Sequence, residues 1–285
     1  MKSIGKTIVV FCVLGLLIIS INFKYNYIYY GRLGKSMLTQ KSNRIYDNAV
    51  RECRYVFLDL GSSKGVQVRK LFEPNLYPNA SIIPVFDQVF GNISERQKYA
   101  CAFGFEANPR HMKRLKFIEE SYKNKGFQVN FYNLAVSDRD NAIVTIFSET
   151  NFNLDWGAGI LDKAINNKAK MTMYKVHTVD IVTFIVETIN PLKSKAVFMK
   201  MDIEGSEYLV LPYMIKNRIL CKNIITSAGI EIHEWARKPL NMSLDMSKLK
   251  QNLKQQSCVP TSVIPLDDES YNIDVAINPD SSINS

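Results

Sequence analysis

A short apolar run that ends in a glycine turn is the feature that most constrains the fold of this chain. Tyr55–Leu60 reads YVFLDL, and Gly61 and Gly65 follow it. A run of this length suits a strand buried on both faces of a parallel sheet. The glycines allow the backbone to turn sharply into a helix and to pass close to a ligand. The run therefore predicts a strand, turn and helix with a nucleotide-type pocket at the turn.

Further apolar runs alternate with helical patterns along the 285 residues. After the first strand, strands are predicted at about 100–105, 127–136, 142–147, 196–201 and 224–232. Helices are predicted after Gly65, from Asn108 to Gly126, at 179–189 and after Gly205. Because strands that alternate with helices form a parallel sheet covered on both faces, we expect one α/β domain.

The stretch at about 72–99 interrupts this alternation. It is long, contains prolines and carries two N-glycosylation sequons. Long segments without regular structure are uncommon in compact domains and are often functional. We therefore expect an insertion, either a lid over the substrate or a surface loop.

The N-terminus is strongly apolar. Residues 7–23 approach the minimum of about 17 residues that spans a membrane, and Lys2 and Lys6 precede them. No small-x-small cleavage pattern follows, so we predict an uncleaved transmembrane signal-anchor. Residues 1–6 would then be a short tail, 24–52 a stem and 53–280 the folded domain.

Two features give opposite indications of membrane orientation. More basic residues follow the apolar segment than precede it, which favours a cytosolic domain. Three sequons, at Asn79, Asn92 and Asn241, have meaning only if the domain is lumenal. We predict a single-pass membrane glycoprotein with its domain in the lumen of the endoplasmic reticulum or Golgi.

Charge and cysteine usage restrict the partners. The net charge of +9 is spread without a dense Lys/Arg run, so no nucleic-acid partner is expected. Besides Cys12 in the apolar segment there are Cys53, Cys101, Cys221 and Cys258. These four permit three disulfide pairings that the sequence does not distinguish, and buried thiols explain them equally well. Their spacing matches no zinc motif, and no metal site is predicted.

Acids at the ends of neighbouring strands indicate the ligand. Glu106 follows the second strand, where a carboxylate accepts both hydroxyl hydrogens of a ribose. Asp59 in the first strand would lie near an amino acid moiety, although each acid alone also suits a turn cap or a solvated strand end. Together they describe a site for S-adenosyl-L-methionine. The predicted cofactor site comprises Asp59, Gly61, Ser62, Gly65, Glu106, Ala135, Val136 and Asp202.

Four motifs occur in a set order, namely LDLGSSKG, GFEANPRH, LAVSD and MKMDIEGSEYLVLP. Between about Tyr55 and Trp235 the chain resembles the FkbM-type branch of class I methyltransferases. The resemblance implies a Rossmann-like, mostly parallel sheet of seven strands, one of them antiparallel. It also implies S-adenosyl-L-methionine as methyl donor, transfer to a hydroxyl oxygen, and Asp202 at the end of the fourth parallel strand.

Three residues are the catalytic candidates. Asp202 follows a strand and would orient the substrate, contact the sulfonium or act as a base. Glu231 and His233 share a face at the end of a later strand, and His233 is the first candidate base because imidazole titrates near neutral pH. Glu231 and Asp202 would also suit a divalent cation, although no ligand spacing requires one.

These observations predict an O-methyltransferase for a hydroxylated acceptor, such as a glycan, a lipid or another molecule of the secretory pathway. Two alternatives stay open. A lumenal glycosyltransferase would use Asp138 and Asp140 to bind a metal and a nucleotide sugar. A non-catalytic interaction module would retain the fold without the reaction.

Overall fold

The computed structural model describes residues 53–149, 158–161 and 171–268. The predicted tail, signal-anchor and stem lie outside these ranges, as do the last residues of the predicted domain. No helix within the described ranges is long and apolar enough to cross a membrane.

The described residues contain nine strands in two sheets. The strands are β1 (Tyr55–Leu60), β2 (Ala100–Phe105), β3 (Gln128–Tyr132), β4 (Ala135–Ser137), β5 (Ile143–Glu149), β6 (Met171–Asp180), β7 (Ala196–Met201), β8 (Ser227–Ile230) and β9 (Ser262–Pro265). A six-stranded sheet has the order β3-β2-β1-β7-β8-β9, and all its neighbours are parallel. A smaller sheet has the order β4-β6-β5, with β5 antiparallel to β6.

Seven α-helices accompany these strands in the described ranges. They are α1 (Val66–Phe72), α2 (Ile83–Phe90), α3 (Ile93–Tyr99), α4 (Met112–Asn124), α5 (Ile181–Phe184), α6 (Glu207–Lys216) and α7 (Met246–Lys254). Asp180 begins α5, because its carboxylate accepts the backbone N–H groups of Val182 and Thr183. This cap explains why the helix predicted from 179 starts at Ile181.

The Rossmann-like α/β class is confirmed, whereas the predicted seven-stranded sheet with one antiparallel strand is not found among the described residues. Within the described residues the main sheet has six strands, and antiparallel pairing occurs in the smaller sheet. The run predicted at 127–136 divides at Asn133, whose side-chain amide donates to the carbonyls of Glu106 and Ala107. The division gives β3 to the main sheet and β4 to the smaller one.

The main sheet aligns four strand ends at one edge. Leu60 pairs with Phe105 on one side and with Met201 on the other, and Met201 pairs with Ile230. The residues that follow are Gly61, Glu106, Asp202 and Glu231. The chain moves outward from β1 to β3 and later returns to place β7 on the other side of β1. In open α/β sheets ligands bind at the carboxyl edge of such a switch point.

The stretch at 72–99 is helical and does not form the long loop that we expected. It contains α2 and α3, and the rings of Phe86 and Phe90 pack against Phe57 of β1 or Phe198 of β7. Phe86 and Phe90 are fully buried. Because these contacts lie on one face of the sheet, α2 covers the core there.

Two disulfides link distant parts of the described chain. Cys53 pairs with Cys101 across 48 residues, and Cys221 pairs with Cys258 across 37 residues. The Cα–Cα distances of 5.5 and 5.8 Å are those of ordinary disulfides. The first joins the start of the domain to β2, and the second joins the segment before β8 to the segment before β9.

Candidate active site

The turn after β1 passes very close to the end of β7. Gly61 has a φ of +88°, and a Cβ added to it would lie 1.8 Å from the carbonyl oxygen of Asp202. The backbone N–H groups of Gly61 and Ser62 both donate to the carbonyl of Phe105 at the end of β2. The turn is therefore fixed between two neighbouring strand ends, and it brings Asp202 beside the glycine.

Glu106 is held by the backbone on both sides. Its Oε2 accepts the N–H of Ser63 at 2.6 Å, and its Oε1 accepts the N–H of Asn108 at 2.7 Å. A carboxylate oxygen has two lone pairs, so a single backbone N–H does not by itself saturate it. The carboxylate thus has a fixed orientation at the end of β2.

A cleft opens in front of these strand ends. It encloses about 620 Å³ including open solvent. We call it the first cleft. Its apolar wall consists of Phe105, Ala107, Leu134, Ala135, Val136, Ile146, Ala158 and Ile160. Gly61, Glu106 and Asp202 supply its polar side, so five of the predicted cofactor residues line one cavity.

Three other predicted cofactor residues lie elsewhere. Gly65 starts α1 and packs against Leu115 and Ile118, and Ser62 lines a second cavity. Asp59 is fully buried and lines neither cavity. Direct contact of Gly65 and Asp59 with a ligand therefore stays a prediction.

Asp59 faces Lys200 on the neighbouring strand instead. The two residues are register partners on β1 and β7. Burial raises the pKa of Asp59 to about 6, although Lys200 opposes that rise. Burial alone would lower the pKa of Lys200, but the charges of Asp202 and Asp59 raise it. Lys200 also donates to Asp202 Oδ2 at 2.7 Å, so it connects the buried acid to the edge of the sheet.

A second cleft, of about 470 Å³ including open solvent, adjoins the first. Both clefts are lined by Gly61, Ser63, Asp202 and Glu204. The rest of the second cleft is lined by Ser62, Lys64, Val66, Gln67, Lys200, Glu231 and His233, six of which are polar or charged residues. The two cavities therefore share a wall at the ends of β1 and β7.

Four acids surround His233 at this wall. Its Nε2 lies 3.4 Å from Glu204 Oε2, 3.5 Å from Glu231 Oε1 and 3.7 Å from Asp202 Oδ1. On the other side of the ring, Nδ1 is 3.2 Å from Glu207 Oε1. We call these five residues the His233 cluster. The structure thus brings together all three predicted catalytic residues, and it adds two glutamates.

Glu207 anchors the turn between β7 and α6. Its fully buried carboxylate accepts the N–H of Ile203 at 2.7 Å and the N–H of Gly205 at 2.9 Å. An acid in the first turn of a helix is also favoured by the helix dipole. The structure gives it a further contact with His233, because β8 ends beside the start of α6.

The charges in the cluster argue against the predicted role of His233 as the general base. Burial alone would lower the pKa of His233, but the hydrogen bond to Glu207 and the nearby carboxylates raise it to about 9. Burial raises the pKa of Glu204 to about 8 and that of Glu231 to about 7, with Asp202 adding to both shifts. The raised pKa means that the imidazole already carries a proton at neutral pH and is poorly suited to accept another.

Some residues of the site were not found from the sequence. Lys200 had a readable signal, since it is a lone charge in the buried run Ala196–Met201. His111 is buried in the wall of the first cleft, and the sequence assigned it no function. His111 ends the short 3₁₀ turn Pro109–His111 that precedes α4. No local sequence pattern indicates that this turn lies beside the cleft.

Comparison with protein families identifies the chain. The family described as the methyltransferase FkbM domain matches residues 85–251, more than half of the chain. The chain belongs to the FkbM methyltransferase family. No curated protein and no solved structure matches it significantly.

The FkbM match includes most of the candidate site, and it disfavours the glycosyltransferase alternative. It contains Glu106, Asp202 and the whole His233 cluster, while the turn at Gly61 precedes it. Asp138 and Asp140, the basis of the glycosyltransferase alternative, lie in a bend after β4 and line neither cleft. This FkbM methyltransferase therefore has its charged residues at the carboxyl edge of the sheet, where class and geometry both locate a ligand.

Proposed function

We propose that this FkbM methyltransferase binds S-adenosyl-L-methionine in the first cleft and methylates a hydroxyl oxygen of an acceptor in the second cleft. The shared wall of the two clefts carries the proposal, because a donor and an acceptor on its two sides would meet at Asp202 and Glu204. Holding two reactants in this way is the main contribution that a protein makes to a group transfer.

The first cleft has the chemistry that the cofactor requires. Its apolar wall, including Ala135 and Val136, suits the adenine ring, and the fixed carboxylate of Glu106 suits the two ribose hydroxyls. Gly61 and Asp202 line the cleft side by side, and this end of the cleft would face the methionine portion. When bound, S-adenosyl-L-methionine supplies an electrophilic methyl group.

The second cleft has the chemistry that a hydroxylated acceptor requires. Carboxylate oxygens of Asp202, Glu204 and Glu231 accept hydrogen bonds from hydroxyl groups, and Lys64 and Gln67 supply donors. The hydroxyl proton would pass to Asp202, since His233 and Glu204, with pKa values raised to about 9 and about 8, already carry one. Val66 is the only apolar side chain among the described residues that line the cleft, which favours a sugar-like acceptor over a lipid chain.

Two features support a lumenal location. The disulfides Cys53–Cys101 and Cys221–Cys258 form and persist in oxidising compartments. The sequon asparagines Asn79, Asn92 and Asn241 are all exposed, as glycosylation requires. We propose a membrane-anchored glycoprotein of the endoplasmic reticulum or Golgi whose acceptor passes through that lumen.

A transfer assay tests the proposal. The full-length protein is incubated with S-adenosyl-L-methionine labelled on the methyl group and with a panel of glycans and hydroxylated lipids. We expect label on a glycan, no label on the same glycan with its hydroxyls already methylated, and transfer reduced about 100-fold by Asp202→Asn. Cofactor binding without label on any acceptor would instead favour a non-catalytic module.

A further inference from the structure

We propose that Lys200 is a positioning residue for the methyl transfer: its buried ammonium group holds the Asp202 carboxylate at the wall that the two clefts share. The inference rests on the proposed function, in which the acceptor hydroxyl gives its proton to Asp202 as its oxygen bonds to the methyl group. Lys200 is the one charged residue in the buried strand β7 and is only 5% exposed. A charge buried this deeply is costly unless it is paired, so its partners indicate its role.

The hydrogen bonds of Lys200 lead to the shared wall of the clefts. Its Nζ donates to Asp202 Oδ2 at 2.7 Å and to the carbonyl oxygen of Gly61 at 3.4 Å. Gly61 and Asp202 line both clefts, so both acceptors belong to this wall. The ammonium group therefore joins the turn after β1 to the end of β7, at the place where the two reactants would meet.

The orientation of the Asp202 side chain depends on this contact. Its backbone is fixed separately, because its N–H donates to the carbonyl of Leu60 at 3.0 Å. Among the described residues, the hydrogen bond to its carboxylate comes from Lys200 and occupies Oδ2. The other oxygen, Oδ1, lies 3.7 Å from His233 Nε2, beyond the length of a good hydrogen bond. Lys200 thus holds the carboxylate through one oxygen and leaves Oδ1 to the acceptor hydroxyl.

The charges around Lys200 keep it a cation. Asp59, its register partner on β1, is fully buried. Burial alone would lower the pKa of Lys200, but the charges of Asp202 and Asp59 raise it above its ordinary value. A charged donor makes a shorter and stronger hydrogen bond than a neutral one, and 2.7 Å is such a distance. Asp59 therefore has a role in the site that needs no contact with a ligand.

Lys70 provides a matched control for this role. It lies on α1, is fully buried, and donates through Nζ to Asp268 at 2.9 Å. Neither Lys70 nor Asp268 lines either cleft. Replacing either lysine by methionine removes one buried charge and one bond to a carboxylate, so both variants should lose stability. Only the change at Lys200 removes the contact with Asp202.

A double-mutant cycle on the reaction rate tests the role. Initial rates are measured with methyl-labelled S-adenosyl-L-methionine and the glycan that takes up label from the wild type. We expect Lys200→Met to lower kcat by about tenfold or more and to change the KM for the glycan by less than about threefold, because a misplaced carboxylate slows the transfer more than it weakens binding. In an Asp202→Asn background the same change should lower kcat by less than about twofold, since Lys200 acts through Asp202. Lys70→Met should keep the kcat of the wild type.

Urea unfolding gives a readout that needs no methyl transfer. Lys200→Met should lower the unfolding free energy less in the Asp202→Asn background than in the wild type, as expected of two residues in contact. If Lys200→Met does not fold, Lys200→Gln replaces it in both cycles, because it keeps a donor near Asp202 without the charge. Wild-type kcat in a folded Lys200 variant, or equal losses with and without the Asp202 carboxylate, would overturn this inference alone. A wild type that methylates no acceptor would overturn the proposed function and this inference together.

Discussion

At position 61 the backbone passes directly beside the carbonyl of Asp202. The φ of +88° and the 1.8 Å approach of an added Cβ both require glycine there. The sequence predicted a glycine turn near a ligand, and the structure confirms the turn and adds the contact between β1 and β7. This contact could not be predicted, because a local pattern does not reveal which later strand lies next to β1.

Gly61→Ala should therefore lower the unfolding free energy by more than the cost of placing alanine at a positive φ. We expect the unfolding free energy to fall by on the order of 3 kcal/mol, from the positive φ and from overpacking against Asp202. Urea denaturation measures this change. Gly91→Ala is the control, since Gly91 also has a positive φ of +80° but its added Cβ meets nothing closer than 3.7 Å. An equal loss in the two variants would contradict a steric role for the Asp202 contact.

At the scale of elements, the polar residues of the candidate site lie at the ends of strands and the starts of helices. Apolar runs predicted β1, β2 and β7, because strands buried on both faces have a continuous apolar pattern. The helix of Ile83–Phe90 was missed, although Ile82, Phe86 and Phe90 recur at a spacing of four and are fully buried. The prolines and sequons of that stretch obscured a helical pattern that was readable.

The connection from α6 through β8 and α7 to β9 is closed by a disulfide. Cys221–Cys258 encloses a separation of 37 residues, and a loop of this length predicts a stabilisation of about 4 kcal/mol from the restricted unfolded chain. We expect Cys221→Ala with Cys258→Ala to lower the unfolding free energy by about 2–4 kcal/mol in urea under non-reducing conditions. A reducing agent should lower the unfolding free energy of the wild type through loss of both disulfides. In the double variant it should lower the unfolding free energy only through loss of Cys53–Cys101. A double variant as stable as the wild type would argue against this pairing.

At the scale of the molecule, the site exists because separate turns meet at one switch point. Asp202, Glu231 and His233 were predicted individually from strand ends and side-chain chemistry, and the fold brings them together. Their combined effect was not predictable, since the high pKa of His233 depends on Glu204 and Glu207 packing around it. The sequence thus indicated the family and the edge of the sheet at which the site lies. The crowding of acids around His233 is visible only in the folded structure.

The central claim is that the first cleft binds S-adenosyl-L-methionine through Glu106. Isothermal titration calorimetry of the full-length protein tests it most directly, with Glu106→Gln as the variant and Glu120→Gln, an exposed position on α4, as the control. Thermal unfolding of all three proteins confirms that each is folded. We expect one cofactor per chain, at least tenfold weaker binding in Glu106→Gln because an amide replaces a charged acceptor of two hydroxyls, and unchanged binding in the control. A folded wild type that releases no binding heat, or a Glu106→Gln variant that binds as tightly, would contradict the account.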